Sequence, residues 1–376
     1  MLIESIKIDG VRNLRYTELH FSPGVNAFFG VNGGGKTSIL ESIYFLAVGR
    51  SFRSVKTNNL ISFNSDYAKV MATLSDKNLN QHIKVGSLKT KNQDKISEIA
   101  GGVVSGADIA MLAPIQLMND ESSRLVFKEP DLRRKFLDWL VFYTKNNYHN
   151  LWRDFNRALK QRNNILKKPD AQVMTILSPL DAVFADLSEK IKIARQSVWH
   201  KFEPIWQQMF DNLGLDSGIK PEIRLFHGWG GDLRAKLAEN INHDLKFRTT
   251  GCGPHRADLL FLINGVTAKD VLSRGQGKVL SLAMVLARAK FIKINAEREG
   301  FVSILLIDDL SAELDEANIK KIIQGLLSLK KDVQICITGT GKEALLDIWS
   351  DKECCWFHVV GGVITKAERE KENQEC

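Results

Sequence analysis

The sequence predicts an α/β protein. A mixed sheet flanked by helices and an antiparallel β part form a head, and an inserted, mainly helical arm interrupts it. Three observations predict this. Gly30-Val31-Asn32-Gly33-Gly34-Gly35-Lys36-Thr37 fits G-x-x-x-x-G-K-[ST], with an apolar run before it and an amphipathic run after it. Ser303-Ile304-Leu305-Leu306-Ile307-Asp308-Asp309 is an apolar run that ends in paired acids. Between these stretches the apolar period changes from two to about 3.6, then returns to strand-like runs.

In order, Leu2–Ile8 reads as a first strand, Asp9–Leu14 as a charged turn, and Tyr16–Phe21 as a second strand. Pro23-Gly24 turns the chain into the buried strand Val25–Phe29. Ser38–Leu46 carries apolar residues at Ile39, Leu40, Ile43 and Leu46, one face of a helix. Gly49–Ser54 is a loop with Arg50 and Arg53 around Phe52, open to nucleotide or nucleic-acid phosphates or simply to solvent. Short alternating runs from Tyr67 to about Val104 suggest antiparallel strands.

From about Glu121 to Thr250 the apolar spacing is helical. Tyr148 to Leu166 gives one helix and Ile176 to Phe202 another, with Pro169 and Pro179 marking breaks near their turn. This block holds 22 Lys and Arg against 16 Asp and Glu, so it carries most of the chain's +8 charge. From Gly251 the character is α/β again. Leu259–Ile263 is a strand with a hairpin turn at Asn264-Gly265, and Val279–Ile294 is a long helix. Phe301–Ile307 and Val333–Ile337 suit a central sheet. The expected divisions are 1–120 for the first part of the head, 121–250 for the arm, and 251–376 for the second part of the head.

The 376 residues suffice for two domains, and 44% hydrophobic with 26% charged content is ordinary for a globular chain. The basic surplus favours a polyanionic partner. No apolar segment reaches the length of a membrane span, so no membrane partner is expected. The five cysteines form no C-x-x-C pair, and the N-terminus lacks a signal-peptide layout, which fits a reducing, cytoplasmic home. Vicinal Cys354-Cys355 reads as two ordinary strand residues.

The chemistry sits in the glycine loop and the paired acids. Glycines let the backbone from Gly30 to Gly35 wrap a polyphosphate with its N–H groups and a helix N-terminus facing the charge. Lys36 would reach the β- and γ-phosphates of ATP, and Thr37 would offer its hydroxyl to Mg²⁺. Asp308 would hold the metal with Thr37, and Asp309 would polarise attacking water, one methylene shorter than a Glu there. Lys36 and Asp309 are therefore the candidate catalytic pair.

Leu272-Ser273-Arg274-Gly275-Gln276-Gly277-Lys278 resembles the L-S-G-G-Q signature of ABC-type ATPases. The order of glycine loop, signature, paired acids and Ser311-Ala312-Glu313-Leu314-Asp315 is that of the whole class. The resemblance implies that Ser273, Arg274, Gly275 and Gln276 complete the site of a second subunit, so that ATP bridges a homodimer. It also makes Gln116 a candidate metal ligand linking the Mg²⁺ to the arm.

More of the chain resembles the RecF family of bacterial gap repair. The residues that carry this are Val11-Arg12-Asn13, Gly49-Arg50-Ser51-Phe52-Arg53, Arg133-Arg134-Lys135-Phe136-Leu137-Asp138, Gly251-Cys252-Gly253-Pro254-His255-Arg256-Ala257-Asp258 and the signature. The resemblance implies an SMC-like, ABC-type head without the long coiled coil, and it adds Arg12 and Asn13 to the nucleotide site. It implies weak, DNA-stimulated ATPase activity, ATP-dependent dimerisation, and binding to double-stranded DNA near gaps. It further implies work with RecR and RecO to load RecA, in recombination, replication and the SOS response. Thr338 or Thr340 stands where ABC proteins place a switch histidine. Arg50, Arg53, Arg133, Arg134, Arg153 and Arg157 are the candidate DNA contacts. His255-Arg256 reads as a hydrogen-bonded corner or as a reporter of nucleotide state. An SMC-like structural ATPase that tethers DNA is the alternative, although sustained heptads are missing.

Overall fold

A computed structural model describes residues 1–76, 80–93, 95–167, 173–213, 220–296, 302–309, 316–329, 333–341 and 354–367. In chain order the first elements are β1 (Leu2–Asp9), β2 (Thr17–His20), β3 (Val25–Phe29), α1 (Lys36–Val48), β4 (Tyr67–Asp76), β5 (Gln81–Thr90), β6 (Ile96–Ile99), β7 (Gly102–Val104), α2 (Gly106–Leu112) and β8 (Ile115–Met118). Next come α3 (Pro130–Thr144), α4 (Tyr148–Lys167), α5 (Val173–Asn212), β9 (Pro221–Phe226), α6 (Leu233–Glu239), α7 (Ile241–Phe247), β10 (Asp258–Ile263), β11 (Val266–Thr267), α8 (Ala268–Val271) and α9 (Arg274–Asn295). The last are β12 (Ser303–Ile307), α10 (Glu316–Leu329), β13 (Val333–Gly339), β14 (Cys354–Val360) and β15 (Val363–Lys366).

Two compact units result: Met1–Ser123 with Leu282–Ile294 and Arg298–Cys376, and Arg124–Ser281 with Asn295–Glu297. In the first unit the continuous apolar runs form one sheet, in the order β15-β14-β3-β13-β12-β8. Its strands from β14 to β8 are parallel, and β15 is the antiparallel edge. All five residues of β12 are buried, as a strand covered on both faces requires. The alternating runs form a second, antiparallel sheet in the order β2-β1-β4-β5-β6-β7.

Helix α1 packs against strands of both sheets, which is why it is buried nearly all round. Ile39, Leu40, Ile43, Phe45 and Leu46 are fully buried there, in one core with Phe28, Ile6, Ile8, Val70 and Leu74. A buried glutamine ties the sheets together. Gln334 on β13 accepts from the Ile3 N–H (2.9 Å) and donates to the carbonyls of Ile3 (2.8 Å) and Ser22 (2.9 Å). Cys354 and Cys355 are strand residues of β14.

The second unit is mainly helical, as the 3.6-residue spacing requires. Its core is the α4–α5 pair, where Phe155 and Phe184 meet at 5.2 Å and Arg162 bridges to Asp181 at 2.8 Å. These bonds hold the turns around Pro179, so the proline lies inside α5 instead of ending it. Pro169 lies outside the described residues. Asn264 and Gly265, both at positive φ, make the expected two-residue hairpin between β10 and β11.

The second boundary differs from the expected one. Gly251–Ser281 packs with the helical unit, and the division falls after Ser281. β10 pairs along its whole length with β9, and Asp258 at its start is ion-paired to Arg133 on α3. Strand pairing and a part-buried ion pair outweigh the local return to strand-like composition.

Candidate nucleotide-binding site

The glycine loop leaves β3 at Gly30 and enters α1 at Lys36. Gly30, Gly33 and Gly35 have φ of 146, 77 and 115°, backbone that a side chain would strain. At Gly30 space is also closed, since a Cβ would stand 2.2 Å from the Val359 carbonyl oxygen of β14. Gly35 caps α1 without any side-chain hydrogen bond, and the first turn holds no acid. The first N–H groups of α1 are thus left for an anionic ligand. Lys36 folds back on the loop, donating to the carbonyls of Gly30 and Val31, the latter at 2.9 Å. Burial pulls its pKa down, against the opposing charges of Asp309 and Asp308.

Parallel pairing in the sheet places the acids. β12 delivers Asp308 to its carboxyl end, beside the carboxyl end of β13. One carboxylate oxygen of Asp308, Oδ1, accepts from the hydroxyls of both Thr37 (2.9 Å) and Thr338 (3.0 Å). Burial raises the pKa of Asp308, while those two hydroxyls and the Arg53 charge act the other way. The Thr338 hydroxyl also accepts from the Asp309 N–H at 3.1 Å. Asp309 itself has a φ of 52°, a left-handed backbone that is rare outside glycine and characteristic of functional sites.

These groups line a cleft of about 1240 Å³ together with Arg12, Asn13, Asn32, Arg53, Gly339, Thr340 and the loop from Asn58 to Asn64. The donors fit Mg²⁺ and a polyphosphate: one carboxylate, neighbouring hydroxyls, an ammonium and unspoken-for N–H groups. Among the described residues no cluster of three or more His, Cys, Asp or Glu could hold a metal. A metal in this cleft therefore draws the rest of its oxygens from its ligand and from water.

Most of the expected nucleotide residues meet here, with informative differences. Asn13 donates to the Gly33 carbonyl (3.1 Å) and accepts from Ser38 (3.1 Å), so its amide braces the loop. Arg53, expected at DNA, lines the nucleotide cleft. Gln116, expected at the metal, does not line this cleft. It lies on β8 in register with Leu305, three residues short of Asp308, and its amide oxygen accepts from Arg288 at 2.8 Å. Three strand residues are roughly 10 Å of sheet.

Arg133 is also corrected. Its guanidinium bonds both carboxylate oxygens of Asp258 (2.6 and 2.9 Å) and the carbonyls of Leu125 and Lys128, which commits four of its five N–H donors within the fold. Arg134 is part-buried and donates to the Ala257 carbonyl at 2.9 Å, again a brace between α3 and the start of β10. Arg50, Arg153 and Arg157 are exposed. His255 bonds the Thr250 carbonyl at 2.9 Å through Nε2, as does Arg256 through Nε and Nη2, which favours the structural corner.

In the second unit, Ser273 and Gln276 form a reciprocal cap at the start of α9. The Gln276 N–H donates to the Ser273 hydroxyl (3.2 Å) and the Ser273 N–H to the Gln276 side chain (2.9 Å). Ser273 and Arg274 are exposed, while Gly275 and Gln276 are partly covered. Ser311–Asp315 lies outside the described residues.

Two features escaped the sequence. Glu41, fully buried on α1, is ion-paired to Arg12 and bonded to Ser51. A charged residue one turn past a phosphate loop carries no motif, so only its i+4 spacing from Thr37 hinted at a shared face. Phe63, on the cleft wall, is fully exposed. An aromatic in a polar loop was the available signal there.

The glycine loop, the acid two strands away at the end of β12 and the signature-like helix cap define a P-loop ATPase head of the SMC and ABC type. The family profile described as "RecF/RecN/SMC N terminal domain" matches residues 2–358. The "DNA replication and repair protein RecF" of Cellvibrio japonicus (strain Ueda107) is 32% identical over 375 residues, covering 97% of this chain and 99% of that protein. The chain belongs to the RecF family of DNA replication and repair proteins. A solved structure described as the "recombination mediator protein RecF-ATP in RecFOR pathway" covers 98% of both chains at 27% identity, with a TM-score of 0.84. An Smc head bound to the C-winged helix domain of ScpA shares the fold at 16% identity and a TM-score of 0.60 over 98% of each chain.

Proposed function

We propose that this chain binds ATP with Mg²⁺ and uses it as a switch for binding double-stranded DNA, near gaps, in recombinational repair and replication restart. The observation that carries the reading is the junction of Thr37, Asp308 and Thr338 on one carboxylate oxygen at the mouth of the glycine loop. Family membership and the ATP-bound relative support it.

In this reading Lys36 leaves the Gly30 and Val31 carbonyls for the phosphates, and the N–H groups of the loop and of the start of α1 hold the polyphosphate. Bound Mg²⁺ would supply charge neutralisation between phosphate oxygens. Thr37 and Asp308 would hold it, and Asp309 would be the base that orients water. Its short side chain favours slow hydrolysis, and family membership adds stimulation by DNA, so that turnover serves release. Ser273, with Arg274, Gly275 and Gln276 at the start of α9, serves the ATP of a second copy. ATP then closes a homodimer, in a cytoplasmic protein that acts with RecR and RecO in the loading of RecA.

The remaining exposed cations of the proposed DNA contact are Arg50, Arg153 and Arg157. On α4, Arg153, Arg157, Lys160 and Lys167 recur at intervals of four, three and seven residues, and all are exposed. That spacing sets them along one side of the helix, suited to sequence-tolerant contact with phosphates.

Molecular mass in solution with and without ATP and Mg²⁺ tests the switch, together with the affinity for gapped duplex. ATP should raise both in the wild-type protein, and Lys36→Ala or Ser273→Ala should abolish the rise. Nucleotide-independent mass and DNA binding in all three proteins would overturn the reading.

A further inference from the structure

Two cationic side chains of the nucleotide cleft, Arg12 and Arg53, come from separate loops, and one buried carboxylate reaches both. Glu41 sits one turn past Thr37 on α1 and is fully buried. On one side it holds Arg12 in a bidentate pair, with Nε to Oε2 at 2.9 Å and Nη2 to Oε1 at 2.7 Å. Such a fork fixes the plane of the guanidinium and leaves Nη1 outside the pair.

Arg12 is also held at a φ of 51°, a backbone strained for a non-glycine residue. Its N–H bonds the Leu60 carbonyl at 2.9 Å, so the loop leading to Phe63 hangs on the same residue.

On the other side Glu41 accepts from the Ser51 hydroxyl. The Ser51 oxygen in turn accepts from the N–H groups of Arg53 and Ser54, both at 2.9 Å. That turn is what carries Arg53 to the cleft. Ser51 is itself buried, so water does not compete for these bonds.

A buried carboxylate with an ion pair and a hydroxyl donor is costly to leave incomplete. Moving either loop therefore disturbs the other. Glu41 itself does not line the cleft.

We propose that Glu41 is a positioning residue for the nucleoside triphosphate, setting Arg12 and Arg53 as a coupled pair of cations on one polyphosphate. The proposal rests on the ATP reading of the cleft. Arg12, through its free Nη1, and Arg53, beside Asp308, would act on one ligand from two sides. Because both are set by Glu41, their contributions to affinity would depend on each other.

The test is titration of MgATP and MgADP into the full-length protein, its Arg12→Ala, Arg53→Ala and Glu41→Gln variants, and the doubles with Glu41→Gln. Wild-type binding that Lys36→Ala abolishes establishes the ATP reading on its own, whatever Glu41 does. Glu41→Gln is then expected to weaken MgATP about tenfold or more, the scale of a charge-assisted bond, and to lower the preference for ATP over ADP. Adding Arg12→Ala or Arg53→Ala to Glu41→Gln should cost much less than either does alone. A Glu41→Gln protein that binds MgATP within about twofold of wild type, or additive double variants, would overturn the proposal and leave the ATP reading standing. If wild type itself does not bind MgATP, both fall. Should Glu41→Gln fail to fold, Ser51→Ala cuts only the Arg53 branch. It should reduce the ATP preference and make Arg53→Ala nearly silent, and an undiminished effect of Arg53→Ala in that background overturns the coupling.

Discussion

Charge is used in opposite ways in the two units. In the first, the cleft groups keep bonding capacity in reserve: Lys36 rests on carbonyls, and the start of α1 has no side-chain cap. In the second, buried charges are closed against each other. Arg162 bonds Asp181, Asp244 and Thr250 (2.8, 2.6 and 3.1 Å), and Arg195 bonds both oxygens of Asp138 and the Pro254 carbonyl. An arginine read from sequence is therefore neither a ligand contact nor a brace. The difference lies in how many of its donors folding has already used: Arg195 gives three of its nitrogens to Asp138 and the Pro254 carbonyl, whereas Arg12 keeps Nη1 outside its pair with Glu41.

The largest effect that would sharpen this contrast is at Arg162. Arg162→Ala strands Asp244, which is fully buried, and should destabilise the second unit by about 3–5 kcal/mol in denaturant unfolding. A loss below about 1 kcal/mol, the scale of an exposed pair, would remove the distinction.

Next is the pH dependence of the second unit. Burial pulls the His255 pKa down to about 4, against an ordinary 6.5. The unfolded chain binds the proton first, so stability falls as pH drops from about 6.5 to about 4 and levels off below that. His255→Phe should flatten that part of the stability profile, and an unchanged slope would show that the ring is hydrated.

The first unit supplies the converse test. Burial raises the pKa of Asp308, so its ionised form opposes folding, increasingly as pH rises through the shifted pKa. Asp308→Asn should raise the thermal midpoint at neutral pH while removing ATP turnover. A midpoint that falls would mean that the hydroxyls of Thr37 and Thr338 outweigh desolvation.

The smallest effect is on α4. Arg157 is well exposed and lies 3.7 Å from Asp154, so Arg157→Ala should change stability by less than about 0.5 kcal/mol. It should still lower the salt dependence of duplex binding by about one unit of slope.

The elements that bury one continuous apolar face were legible in the sequence. The three central strands β3, β12 and β13, α1, the α4–α5 pair and the β10–β11 hairpin were all read from period and turn residues, while β8 was not read as a strand. Motif residues that meet each other, Thr37 and Asp308, were legible too. What period cannot carry is pairing across the chain. Gln116 met Arg288, Arg133 met Asp258, and Glu41 met Arg12, over separations of 172, 125 and 29 residues. Composition likewise placed Gly251–Ser281 with the head, because a strand in a small sheet reads like one in a large sheet.

The cap at the start of α9 leaves one last consequence. A hydroxyl has a single proton and two lone pairs. The Gln276 N–H takes a lone pair of Ser273, not its proton. The same atom can thus end the helix with its acceptor side and reach a neighbour's oxygen with its donor side. A threonine would preserve both functions in principle, whereas an aspartate would cap the helix equally well and meet a phosphate with repulsion. Ser273→Asp therefore separates architecture from recognition at a single oxygen atom.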